Sequence, residues 1–453
     1  MDKLNLLENL KYFFNFLLFM KKRRSSIQLF TKLNIKLKKI LKILGPGFIT
    51  GASDDDPSGI GTYAQTGALF GHQQLWTALF SFPLMAAIQE MCGRIGLITG
   101  KGLAGVIKKH YSKWLLYFCI SLLVLANTIN IGADIGAMAS AGQLIFGLPF
   151  FFLIVGITAL TLLLQIFVPY HFYARYLKYL TFSLLAYIVT AFVIKEDWTS
   201  ILHATLVPAI LLSKEFLWNI VAIFGTTISP YLFFWQASEE VEEEVEKKEL
   251  RNMGAGVPKF NHQDIKNLRL DTIIGMFFSN IIMFFIIVTT GSTLFVHGIH
   301  DIQTASQAAE ALRPLAGDFA YILFSLGIIG TGLLAVPILA GSASYALSET
   351  LGFKEGLYRK FRQARGFYGI IILVTLMGVF VNFLGIPPFK LLYYTAILNG
   401  LCAPFLLFMI LHITNNHKIM GTYTNGKLSN SLGWIVALFM SLAAGAVVVS
   451  VVI

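Results

Sequence analysis

Three consecutive carboxylates, Asp54, Asp55 and Asp56, stand directly before Pro57, Ser58 and Gly59 in a stretch that is otherwise apolar. Carboxylate, hydroxyl and carbonyl oxygens are hard ligands, suited to magnesium, calcium or manganese. A charge at membrane depth costs about 2.5–3.5 kcal/mol on insertion scales, so three of them point to a function. Pro57 cannot donate a helical hydrogen bond, and Ser58-Gly59 favours an unwound backbone. The expectation is a broken helix whose freed carbonyls and carboxylates face a water-filled cavity, where a cation replaces the missing partners. The plainer reading starts the span after Gly59 and leaves the aspartates in a loop. The apolar run Leu41–Ala52 argues against it.

A second break is expected at Gly225-Thr226-Thr227-Ile228-Ser229-Pro230-Tyr231, where a glycine again precedes small polar residues and a proline. Pro57 and Pro230 each fall in the first span of a five-span set. Interruptions at corresponding positions of two halves point to a transporter substrate site. Because five is odd, the second half must be inverted relative to the first. Asp56, Gly59, Thr226 and Ser229 are the primary candidates for a cation site, with Asp55, Thr227, Tyr231, Asp134 and Thr395 behind them. Asn399 shares the tenth span with Thr395. Glu90 and Asn280 read as packing glue between helices. A membrane-embedded enzyme would need a nucleophile or an acid/base pair. The sequence holds no Ser/His/Asp set, no histidine cluster and no Gly-rich phosphate loop, so neither catalysis nor a resident cofactor is expected.

The elements that must hold these residues are membrane spans. Of 453 residues, 56% are hydrophobic and only 13% charged, too little charge for the surface of a soluble protein of this length. Apolar blocks reach the ~20 residues that a bilayer requires. Eleven spans are expected, near 43–68, 73–96, 114–146, 150–169, 177–195, 216–237, 271–297, 318–346, 367–386, 389–413 and 431–452. They group as a first repeat over 43–195, a second over 216–413 and an extra helix at 431–452. Residues 1–42 form a basic tail. The net charge of +11 lies in short connections on alternate sides, which suits topology rather than nucleic acid. That bias places the N-terminus in the cytoplasm and the C-terminus outside. The charged run over 238–270 is expected to be a solvated extension of the sixth helix. Cys92, Cys119 and Cys402 lack metal-ligand spacing and read as small apolar side chains. The bilayer and a divalent cation are the partners expected, with no obligate protein partner.

Several stretches give the chain a family resemblance: Gly45-Pro46-Gly47-Phe48, Asp56-Pro57, Gly93-Arg94-Ile95-Gly96-Leu97-Ile98-Thr99-Gly100-Lys101, Leu144-Ile145-Phe146-Gly147-Leu148-Pro149 and Ala340-Gly341-Ser342-Ala343. The chain resembles the Nramp (natural-resistance-associated macrophage protein) metal transporters. The resemblance implies an all-α integral membrane protein of LeuT type: an inverted repeat of two five-helix halves with helices 1 and 6 broken. It implies secondary transport of divalent transition metals, usually coupled to protons, in a bacterial inner membrane.

The departures from the family pattern bear on the ion. The family's Asp-Pro-Gly-Asn is here Asp56-Pro57-Ser58-Gly59, which keeps the aspartate and loses the asparagine. Its Ala-x-x-Met-Pro-His becomes Thr226-Thr227-Ile228-Ser229-Pro230-Tyr231, without thioether or imidazole. Its Asp-Leu-Ala-Glu on the third span becomes Ile131-Gly132-Ala133-Asp134. Thioether favours transition metals, and magnesium usually keeps several waters, so a roomier all-oxygen site suits magnesium. The chain in this respect resembles the Nramp-related magnesium transporters. The leading expectation is a Mg2+ carrier that also accepts Mn2+, without proton coupling. The rivals are a proton-coupled Mn2+/Fe2+ symporter and a sodium-coupled carrier of an organic solute on the same fold.

Overall fold

The computed structural model describes residues 45–168, 180–194, 196–211 and 213–452, so the expected tail over 1–42 lies outside the described residues. The described residues form helices joined by short connections. The first expected span is two helices, α1 (Pro46–Asp54) and α2 (Pro57–Phe70). Then follow α3 (Trp76–Thr99), a short α4 (Leu103–His110), α5 (Lys113–Phe146), α6 (Phe150–Phe167) and α7 (Leu185–Val193). The sixth span is again two helices, α8 (Lys214–Thr227) and α9 (Pro230–Glu246). The rest comprises α10 (His262–Thr290), α11 (Ala320–Leu351), α12 (Arg365–Phe380), α13 (Pro388–Thr414) and α14 (Lys427–Val452).

Among the described residues, eight helical segments are long and apolar enough to cross a membrane. The rest of the expected set departs from that standard for local reasons. The first span is cut at the break, and α3 carries Gln89, Glu90 and Arg94 within its apolar run. Only part of the fifth, as the apolar helix Phe182–Val193, is described. Large side chains on the outside of the bundle, such as Phe152, Leu163, Leu373 and Leu442, are exposed in the protein alone, as lipid-facing positions must be.

Both breaks have a local cause. Pro57 and Pro230 occupy the first turns of α2 and α9, where a missing N–H costs nothing. Asp56 has extended backbone and caps α2, its side chain accepting from the Gly59 amide. The broken pairs sit in the middle of the fold. α1 packs on α10, α8 on α13, α9 on α3 and α11, and α11 along α5.

The expected solvated charge run over 238–270 is corrected in its first part only, since Glu246, Lys247, Lys248 and Lys259 farther along are exposed. Glu239, Glu240, Glu242 and Glu244 are all buried, because the second half of α9 inserts between α3 and α11 instead of leaving the bundle. Glu242 accepts from the Tyr345 hydroxyl and from the Leu357 and Tyr358 amides, so it anchors the connection between α11 and α12. Glu349 does the same for α4, accepting from the amides of Gly102 and Gly105, each at 2.7 Å.

Candidate functional site

Asp56 lies between the two breaks and is 1% exposed. Its Oδ1 accepts from the Ser58 hydroxyl at 2.8 Å and the Gly59 amide at 2.6 Å. Its Oδ2 accepts from the Asn130 amide nitrogen of α5 at 3.2 Å. An ionised carboxylate offers about four lone-pair positions. Oδ1 is therefore filled by its two donors, and Oδ2 keeps one direction open. The positive end of α2 stabilises the charge. α1 and α8 end beside it, and helix C-terminal ends are the arrangement that favours a cation in broken-helix sites.

The expected partners fall into two groups. Gly59 and Thr226 are at the centre: a Cβ built on Gly59 would stand 2.9 Å from the Asp54 carbonyl, 3.3 Å from Asp56 Oδ1 and 3.4 Å from Thr226 Oγ1. The Ser229 hydroxyl lies 2.7 Å from the carbonyl oxygens of both Gly225 and Thr226. It donates to one of them and keeps lone pairs for a cation. Tyr231 bridges the breaks instead, donating its hydroxyl to the Ser53 carbonyl at 2.9 Å. Thr227 and Thr395 spend their hydroxyls on their own helices, on the carbonyls of Ile223 and Leu392.

The three aspartates do not converge. Ser279 of α10 donates to Asp54 Oδ2 at 2.6 Å and lies 3.3 Å from Asp55 Oδ1, while Asp56 faces α5. Among the described residues, no three His, Cys, Asp or Glu side chains form a group able to hold a metal.

Unpartnered polar atoms are abundant nearby. Among the described residues, Asp134 Oδ1 and Oδ2, Asn130 Oδ1, Tyr63 Oη and both amide atoms of Asn399 are buried without a hydrogen-bond partner. Orphaned polar atoms at such density mark a place for water or an ion. Sequence reasoning missed Asn130 and Tyr63. The signal available for Asn130 was its place one helical turn before Asp134, on the same face.

A profile of natural resistance-associated macrophage protein-like (Nramp) sequences matches residues 47–450. The chain is 24% identical over 432 residues to the divalent metal cation transporter MntH of Caldanaerobacter subterraneus subsp. tengcongensis, covering 91% of this chain and 94% of that protein. It is 26% identical over 426 residues to the MntH of Ralstonia nicotianae, covering 90% of each. Its structure resembles the Eremococcus coleocola manganese transporter crystallised with an aromatic bis-isothiourea substituted compound, with a TM-score of 0.69 at 18% identity over 90% of this chain and 86% of that one. It also resembles Mhp1, a nucleobase-cation-symport-1 family transporter, with a TM-score of 0.57 at 13% identity over 90% of this chain and 91% of that one. At such identities these likenesses establish the fold, the LeuT-type inverted repeat with its two broken helices.

Proposed function

The chain belongs to the Nramp family, and from that premise we propose that it carries divalent metal cations across the membrane by alternating access, with Asp56 as the anionic ligand. The observation that carries this reading is the buried Asp56 carboxylate at the breaks, with one oxygen direction left open. Gly59, Thr226 and Ser229 complete the site, the glycine by leaving room and the other two by supplying oxygen. Asp134 stands back and holds a water on the ion. The halves are residues 43–195 and 216–413. We place the protein in a bacterial inner membrane with its N-terminus in the cytoplasm, on the basic residues of the connections.

The ion is where two lines of support diverge. The names of the relatives speak for divalent metal cations and, in the solved structure, for manganese, as in an ordinary member of the family, and they weigh more heavily than any single substitution. The donor set of this chain has no thioether or imidazole at the breaks, which supports extending the range to the harder Mg2+. The reading adopted is a carrier of hard divalent ions, Mn2+ and Mg2+. The test is flux of Mg2+, Mn2+, Ca2+, Fe2+ and Cd2+ into proteoliposomes, with Asp56→Ala as the control. Uptake of Mn2+ and Mg2+ that disappears in the variant is expected. Uptake of Mn2+, Fe2+ and Cd2+ without Mg2+ would return the chain to the ordinary class.

A further inference from the structure

Asn130 is fully buried on α5, and its two amide atoms have different fates. Nδ2 donates to Asp56 Oδ2 at 3.2 Å, whereas Oδ1 has no partner among the described residues. The contact with a carboxylate fixes the orientation of the amide, because only the nitrogen can donate. The carbonyl oxygen is thereby turned away from Asp56 Oδ2 while remaining on the same side chain. A buried amide oxygen left without a partner is costly. α5 repeats the pattern at helical spacing: Asn127 Oδ1, Asn130 Oδ1 and both oxygens of Asp134 are all buried and unpartnered. Positions i, i+3 and i+7 lie on one face. Helix α5 therefore presents a stripe of free oxygens with Asn130 at its middle, in contact with the one carboxylate that caps a break.

We propose that Asn130 is a specificity-determining residue of the cation site, orienting Asp56 Oδ2 through its amide nitrogen and accepting, through its unpartnered amide oxygen, from a water that an ion on Oδ2 retains. The inference rests on the reading of Asp56 as the anionic ligand. Asp56 has only one open lone-pair direction, and Nδ2 of Asn130 occupies the other direction on the same oxygen. Asn130 therefore sets where an ion on Oδ2 must sit. A coordinated water suits Mg2+ and Mn2+ and suits a soft ion such as Cd2+ less, so the contribution is largest for the first two.

The test is calorimetric binding of Mg2+, Mn2+ and Cd2+ to the purified full-length protein, comparing the parent with Asn130→Leu, Asn130→Ser, Asn130→Asp and Asp56→Ala. Removing a group that orients a metal ligand typically weakens binding by 10–100-fold. Asn130→Leu keeps the shape and loses both amide atoms, so Mg2+ and Mn2+ binding should weaken by at least about tenfold, with a smaller loss for Cd2+. A purely structural role would weaken all three ions equally. Asn130→Asp keeps an oxygen in place and should restore Mg2+ binding relative to Asn130→Leu. Asn130→Ser loses the amide with less disturbance of packing and decides the matter should the leucine variant not fold. Unchanged Mg2+ affinity in a folded Asn130→Leu or Asn130→Ser protein, alongside lost binding in Asp56→Ala, overturns the role of Asn130 alone. Normal binding in Asp56→Ala overturns the site on which it rests.

Discussion

Gly51 of α1 meets Gly275 of α10 with no space for a methyl group: a Cβ on Gly51 would stand 2.3 Å from the Gly275 carbonyl carbon. A Cβ on Gly275 would meet the Gly47 carbonyl oxygen at the same 2.3 Å. One turn of α10 earlier, Asp271 accepts from the amides of Gly47 at 2.7 Å and Phe48 at 3.1 Å. A carboxylate thus satisfies the first free amides of α1 and complements its positive end. Thr50 adds a third tie, donating to the Gln236 side chain of α9. The short half-helix before Asp56 is thus held at both ends, since Tyr231 reaches the Ser53 carbonyl and Ser279 the Asp54 side chain where α1 stops.

Gly51→Ala should therefore push α1 off α10. Forcing atoms into a packed contact costs about 1–3 kcal/mol, so a lower thermal midpoint is expected. A cysteine at Ser53, buried in the parent, should become reactive to a thiol reagent once Gly51 is alanine. Equal labelling in both backgrounds would show that the seam does not hold α1.

Asp56→Ala removes the carboxylate of the proposed site together with the cap of α2. Loss of an N-cap costs about 0.5–2 kcal/mol, a modest change that should leave the fold intact. Ion-dependent thermal stabilisation should vanish. A stabilisation by Mn2+ or Mg2+ equal to the parent's at the same ion concentration would move the site elsewhere.

The double variant Gly59→Asn with Ser229→Met tests selectivity. The Cβ of residue 59 would press on the Asp54 carbonyl at 2.9 Å, so the backbone must give slightly and the cavity must shrink. A thioether and less room for bound water favour Mn2+, Fe2+ or Cd2+ over Mg2+. Flux ratios in proteoliposomes measure the shift; an unchanged Mg2+ preference would place selectivity outside the breaks.

Proton coupling is testable with a pH-sensitive dye inside the same vesicles. A relay needs groups that bind and release protons near neutral pH. Here Ile131 cannot, and the Tyr231 hydroxyl is engaged with the Ser53 carbonyl. A membrane potential alone drives a divalent ion inward by about 4.6 kcal/mol per 100 mV, twice the single-charge value. Mg2+ uptake should proceed without matching acidification. Acidification in proportion to uptake would assign the protein to the proton-coupled members.

Glu355, in the connection between α11 and α12, gives a prediction about pH. Burial, reinforced by the nearby carboxylates of Glu349 and Glu242, raises its pKa from 4.5 to about 9. The folded protein then holds a proton that the unfolded chain releases, so stability is full below pH 4.5 and falls as pH rises towards 9. Glu355→Gln mimics the protonated side chain and abolishes that loss. The variant should gain thermal stability over the parent progressively from pH 5 to 9, with no gain at pH 4. A constant offset across this range would refute the assignment.

The sequence alone determined where the helices break. Proline cannot donate to a helix, and three charges cannot sit in a span without compensation, so Pro57, Pro230 and Asp56 marked the centre before any fold was known. Span positions followed from apolar length, which the bilayer requires whatever the neighbours. Facing was not available in this way. Spacing alone puts Asn127, Asn130 and Asp134 on one face of α5, but it does not say which neighbour that face meets. Only packing decided that Asn130 and Asp134 look toward Asp56. The same holds for the run of glutamates in α9: charge suggested solvent, but the hydroxyl of Tyr345 and the amides of Leu357 and Tyr358 receive Glu242 inside the protein. Partners that satisfy a buried charge come from segments more than a hundred residues away, which no local pattern reveals. Asp54 and Asp55 make the same point. They adjoin Asp56 in sequence, yet the unwound backbone turns them to Ser279 on α10, because residues at a helix break no longer share a face.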